Sequence, residues 1–122
     1  EKMNMSHHEK IHYLEFPVRD IQATKTFFHE VFGWKFTDYG PEYVAVHEAG
    51  IEAGFYKSDL TVTTEKGSVL IVFFSDVLEQ TLEKVQSAGG IIIKPIFSFP
   101  GGRRFHFTDP NGNEFAVWGE DK

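Results

Sequence analysis

Ile11-His12-Tyr13-Leu14-Glu15-Phe16-Pro17-Val18, then Asp20 through Phe32, then Gly33, reads as a strand, a capped helix and a glycine stop, and the pattern occurs twice. The second copy is Val69-Leu70-Ile71-Val72-Phe73-Phe74-Ser75, then Asp76 through Ala88, then Gly89-Gly90. The offset is 56 or 57 residues, according to whether Asp20 is matched to Asp76 or Gly33 to Gly90. In the first copy Asp20 can accept the orphan amides of a first helical turn. Ile21, Phe27, Phe28 and Val31 make one apolar stripe, and Gly33 suits the left-handed residue that ends a helix. In the second, Asp76 with Glu79 resembles a capping box, and Leu78, Leu82 and Val85 recur at helical spacing.

Three short extended runs follow each helix. In the first half they are 34–38, 42–47 and 51–57, broken at Gly40-Pro41 and Ala49-Gly50. In the second half they are 91–95, 103–108 and 114–118, with the tightest break at Asp109-Pro110-Asn111-Gly112. The polar stretch 58–67 is expected to link the halves, and 96–102 to form a loop whose glycines permit movement. The reading is an α+β chain of two tandem βαβββ modules, about 11–57 and 68–119, in one domain spanning 11–122. Residues 1–10 are expected to be a disordered leader or an expression remnant.

Among 122 residues, 41% are hydrophobic and 25% charged, the balance of a globular protein. The net charge of -6 and the lack of a long basic run argue against nucleic acid as a partner. With no cysteine, disulfides, thiolate metal sites and a cysteine nucleophile are excluded. No apolar run approaches the roughly 18 residues of a membrane span, so a soluble cytoplasmic protein is expected. No Gly-x-Ser-x-Gly elbow, phosphate loop or dinucleotide fingerprint occurs. Thirteen Phe against two Met and two Trp foretell a stiff aromatic core or cavity wall.

Glu15-Phe16-Pro17-Val18-Arg19-Asp20, Phe27-Phe28-His29-Glu30-Val31-Phe32-Gly33-Trp34, Ser87-Ala88-Gly89-Gly90 and Asp109-Pro110-Asn111-Gly112-Asn113 stand in an order and spacing that resemble the glyoxalase/bleomycin resistance/extradiol dioxygenase (vicinal oxygen chelate) superfamily. The nearest likeness is to its small glyoxalase-like, lactoylglutathione lyase-related branch. The resemblance implies curled mixed sheets around a cavity, assembled as a homodimer. It also implies chelating positions on the first and fourth strands of each module. Carried over, these fall on Tyr13, near Ala53, on Leu70 and on Ala116. Alanine and leucine have no donor atom, and a neutral phenol is a poor ligand beside imidazole or carboxylate. No metal and no other cofactor is therefore expected.

Strand alternation puts Tyr13, Glu15 and Pro17 on one face, opposite Leu14, Phe16 and Val18. If Tyr13 faces the cavity, so does Glu15, and a buried carboxylate needs a partner. The candidates by type are His12, His47, His106, Arg103 and Arg104, with His106 the best placed. A Glu15–His106 pair is one reading, as acid/base residues or a nonstandard metal site; plain cavity lining is the other. Tyr13, Phe55 and Phe74 are expected to line the cavity, with Phe97 or Phe99 over its mouth. His29 reads as a surface residue, and Gly101-Gly102-Arg103-Arg104 as a turn in preference to an anion loop. The function expected is metal-independent binding of a small hydrophobic or aromatic metabolite or antibiotic. The rival is an enzyme: a divergent metal-dependent lyase, isomerase or dioxygenase, or a metal-free acid/base catalyst using Glu15.

Overall fold

The computed structural model describes residues 7–121, so the first six residues of the expected leader lie outside the described residues. The chain runs β1 (Tyr13–Val18), α1 (Ile21–Phe32), β2 (Lys35–Asp38), β3 (Tyr43–His47), β4 (Glu52–Lys57), and then β5 (Ile71–Phe74), α2 (Leu78–Ser87), β6 (Ile91–Phe99), β7 (Gly102–Thr108) and β8 (Glu114–Glu120). Each half forms its own four-stranded mixed sheet, in the orders β1-β4-β3-β2 and β5-β8-β7-β6. β1 and β5 are edge strands, each parallel to the last strand of its module. This is the α+β, twice-repeated βαβββ architecture expected from the sequence, with both sheets open. Among the described residues no helix is long and apolar enough to cross a membrane.

The two helices begin at Ile21 and Leu78, which sets the repeat offset at 57. Asp20 caps α1 by accepting from the Ala23 amide at 3.0 Å, and Gly33 closes it at φ +74°. The offset puts the equivalent cap position on Val77, so the capping box expected at Asp76 and Glu79 does not form. Val77 has no acceptor; the Ser75 hydroxyl accepts its amide at 3.0 Å instead and bonds the Thr81 hydroxyl at 2.7 Å.

The expected loop over 96–102 is also corrected. β6 continues to Phe99, pairing Phe97, Ser98 and Phe99 with Arg104, Arg103 and Gly102. Pro95 cannot donate to a ladder, and the register shifts between Ile92 and Lys94 and again between Lys94 and Phe97 absorb that defect without ending the strand.

Alternation in both sheets turns one face toward the helices, and there the core forms. Phe28 stacks on Trp34 with ring centroids 4.5 Å apart, and lies 5.8 Å from Phe55 and 5.4 Å from Phe115 of the other module. Phe115 in turn meets Phe16 at 5.7 Å and stacks on Phe107 at 5.5 Å. The aromatic core thus spans both modules.

The Asp109–Asn113 turn fastens the halves at their polar ends. Asn111 Oδ1 accepts from the backbone amides of Arg19 and Asp20 at 2.9 and 3.2 Å, while its Nδ2 donates to the Thr24 hydroxyl at 2.8 Å. Asn113 Nδ2 donates to the Pro17 carbonyl at 2.8 Å, and its Oδ1 accepts from the Val62 amide at 2.9 Å. The inter-module stretch is accordingly held: it contains a 3-10 turn at Thr64–Lys66 and is tied to β8 by the Glu114 amide donating to the Val62 carbonyl at 2.9 Å.

Candidate functional site

The faces of the two sheets turned away from the helices carry the polar chemistry. On the first sheet, Tyr13 and Glu15 of β1 and Tyr43 of β3 reach toward one another across β4 at Gly54, which is in register with Glu15 and Ala45. The Tyr13 and Tyr43 hydroxyls are 2.7 Å apart, and the Tyr43 hydroxyl donates to Glu15 Oε2 at 3.0 Å. A Cβ built on Gly54 would overlap the Tyr43 hydroxyl, so only glycine lets the two phenols lie across β4. Burial first, then the bonds to Tyr13 and Glu15, push the Tyr43 phenol well above its ordinary value. The result is a chain of hydroxyls ending on the Glu15 side chain, open to solvent, with Tyr13 43% exposed.

On the second sheet, Arg104 and His106 of β7 face Trp118 and Ala116 of β8, and Val72 and Phe74 of β5 continue the same face. His106 Nδ1 lies 2.9 Å from Glu114 Oε2, and both side chains are buried. Glu114 Oε1 accepts from the Thr64 amide and hydroxyl at 2.7 and 3.0 Å. Burial pushes the Glu114 carboxyl up, but the Thr64 amide, His106 and the Thr64 hydroxyl together outweigh it and hold the group below its ordinary value.

Glu15 and His106, considered together from the sequence, therefore have separate partners on separate sheets. Phe55, expected at the cavity, is 1% exposed and belongs to the core, because it pairs in register with Phe16 on the helix side. Phe74 and Phe97 are exposed at 52% and 38%. Phe97 lies 5.9 Å from the His106 ring, and Phe99 lies 6.2 Å from Trp118. Phe74 also borders an apolar groove of about 430 Å³ shared with Leu14, Trp34, Ile51 and Val72, between the two edge strands.

Of the expected turn Gly101-Gly102-Arg103-Arg104, only Gly101 lies in the turn, at φ +109°; Gly102, Arg103 and Arg104 open β7, and Arg103 is taken by Glu79 with contacts of 2.6 and 3.4 Å. His29 is exposed and bonds the Trp34 carbonyl at 2.9 Å; His47 bonds Thr37 at 2.9 Å. The sequence reading passed over Glu114 and Thr64. The signal for Glu114 was present, since residues 108 and 114 flank the Asp109–Asn113 turn symmetrically and an even count along β8 returns to the His106 face.

Register equates Ala116 with Gly54, both one step beyond the residue that pairs with Leu14 or Ile71, so the fourth-strand position of the first module, expected near Ala53, is Gly54; Ala53 itself is buried on the helix side. Tyr13, Gly54, Leu70 and Ala116 do not make a metal shell, and the space at Gly54 is filled by phenols. Among the described residues no group of three or more His, Asp and Glu is arranged to hold a metal ion.

Residues 10–117 match the family described as Glyoxalase/Bleomycin resistance protein/Dioxygenase superfamily. No curated protein matches the chain. Among solved structures, a glyoxalase-related enzyme from Fulvimarina pelagi superposes with a TM-score of 0.77 at 19% identity, covering 92% of this chain and 88% of that one. A glyoxalase/bleomycin resistance protein/dioxygenase family enzyme from Burkholderia phytofirmans PsJN gives 0.74 at 19%, with coverages of 88% and 96%. A variant of the fosfomycin resistance protein FosX from Listeria monocytogenes, complexed with Mn(II) and 1S,2S-dihydroxypropylphosphonic acid, gives 0.76 at 18%, with coverages of 90% and 89%. At these identities the likeness is one of fold.

Proposed function

The chain belongs to the glyoxalase/bleomycin resistance protein/dioxygenase superfamily, and from that premise we propose that it binds a small hydrophobic or aromatic molecule, a metabolite or an antibiotic, without a metal. The observation that carries this reading is the chemistry of the four positions where chelating relatives hold ligands. A phenol, a bare glycine, an isobutyl group and a methyl group stand there, on faces otherwise dressed with Phe74, Phe97, Phe99 and Trp118. Flat apolar walls with a few polar groups suit a planar ligand, and Glu15 with its tyrosines offers an acceptor for a cationic or hydrogen-bond-donating group.

Each polar face is open in one chain, and a second copy supplies the missing wall. Val72 and Phe74 are exposed at 42% and 52% beside the groove between β1 and β5, and apolar surface in that arrangement favours a homodimer of a cytoplasmic protein. A second reading, a metal-free acid/base enzyme, rests on the Tyr13–Tyr43–Glu15 chain. It requires turnover of a ligand that is lost in Glu15→Gln.

The test is thermal unfolding of metal-stripped protein with a panel of aromatic fragments, with and without added Mn(II) or Zn(II). Stabilisation that grows with the logarithm of fragment concentration and ignores the metal is expected. Stabilisation that appears only with a stoichiometric metal overturns the reading.

A further inference from the structure

His106 is 2% exposed, yet its Nε2 has no hydrogen-bond partner, and the Nε of Arg104 is buried without one as well. Buried polar atoms left without partners are uncommon and call for a cause. Both side chains stand on the face of β7 turned away from α2, because Phe105 and Phe107, with which they alternate, belong to the core. Two residues along a strand, they are rooted about 6.7 Å apart.

Glu114 decides which nitrogen of His106 is free. Its two oxygens are engaged by Thr64 and by Nδ1, and an ionised carboxylate only accepts, so Nδ1 carries the proton. In the neutral ring, Nε2 is then an acceptor without a donor. Arg104 presents the opposite need. Among the described residues no carboxylate lies within ion-pair reach of it; its guanidinium lies over the Phe97 and Phe99 rings at 5.5 and 5.7 Å. Trp118, its register partner on β8, continues the aromatic surface to Phe74, whose ring meets it edge-on with centroids 5.1 Å apart. Phe97 follows the register breaks in β6, where a strand shifts most readily, and it is partly exposed.

We propose that this face of the second sheet is a site for planar aromatic carboxylates bearing a hydroxyl at the far end of the ring, with the carboxylate on Arg104, the hydroxyl donating to His106 Nε2 and the ring between Phe97 and Trp118. The proposal rests on the small-molecule reading above and names its ligand class. Along the backbone of β7 the two residues are rooted about as far apart as substituents on opposite ends of one six-membered ring. Glu114 and Thr64 are positioning residues: they hold the imidazole in the tautomer that accepts.

The test uses the whole chain and follows the Trp118 indole N–H and the His106 ring signals by NMR, with the core Trp34 indole as internal control. Titration with 4-hydroxybenzoate is expected to shift Trp118 and His106 saturably and leave Trp34 in place. 4-Methoxybenzoate, whose ether oxygen cannot donate, is expected to bind roughly tenfold more weakly, the worth of one hydrogen bond to a buried acceptor. Arg104→Gln is expected to weaken 4-hydroxybenzoate by about the same factor. Equal affinity for the hydroxy and methoxy acids overturns the proposal on wild-type protein alone, and so does undiminished binding to Arg104→Gln. If 4-methylphenol or 4-hydroxybenzylamine shifts the Trp118 face while the acid does not, the acid class falls and the aromatic reading stands. If no aromatic probe moves Trp118 or Tyr13, both fall.

Discussion

Gly54 and Ala116 occupy equivalent places in the two modules, and the difference between them is one methyl group with large consequences. Without a Cβ, Gly54 admits the Tyr13 and Tyr43 hydroxyls over β4, and the first sheet acquires a hydroxyl chain at a position where the family resemblance implied a chelating group. At Ala116 the methyl is fully buried, and the polar chemistry moves to His106 and Glu114 beside it. Glu114 is held below the ordinary glutamate value, so it adds stability that is present above about pH 4.3 and is lost as the pH falls through its folded-state value. Glu114→Gln removes that contribution and weakens the bond to a buried His106. A loss of about 2 kcal/mol at pH 7 is expected, by urea denaturation, with the gap to wild type narrowing as the pH drops below 4. Two curves that stay parallel through the acid range would show that the carboxylate is not the stabilising form.

At the scale of elements, the Asp109–Asn113 turn is more than a connection between β7 and β8. Its asparagines supply donors and acceptors to β1, to the first turn of α1 and to the inter-module stretch, and Asn111 and Asn113 are 2% and 0% exposed. Asn111→Ala leaves the partly buried amides of Arg19 and Asp20 and the buried Thr24 side chain without that partner. A loss of about 2–4 kcal/mol is expected, because each unsatisfied buried group costs about 1–3 kcal/mol. Faster hydrogen exchange at the Arg19 and Asp20 amides would locate the damage, while unchanged exchange there would deny the turn its clasping role. α2 shows the reverse economy: it starts without a side-chain cap of its own and relies on Ser75 and on burial of Leu78 and Val85 against the sheet.

For the whole molecule, the decisive feature is that both sheets end in an unpaired edge, β1 and β5, flanking an apolar groove. Phe74→Glu places a charge at its rim. If a second copy covers the groove, light scattering should show dimeric wild type and a variant whose dissociation constant rises about 100-fold or more, the usual cost of losing a buried aromatic anchor. Wild type that stays monomeric at high concentration would remove the dimer from the functional picture. The sequence by itself determined the repeat, both helices and the sidedness of β1, since these follow from local capping, helical spacing and strand alternation. It even carried the fold family, through the spacing of four short motifs. What it left open, the tertiary structure decided: an offset of 57 that moves the second cap to Val77, a β6 that runs on past Pro95, Phe55 in the core, and Glu114, itself held by Thr64, as the partner of His106. Those outcomes depend on which strands pair and in what register, a choice made by packing between segments 50 residues apart in the Thr64–Glu114 contact and 96 apart in the Pro17–Asn113 contact, which no local pattern encodes.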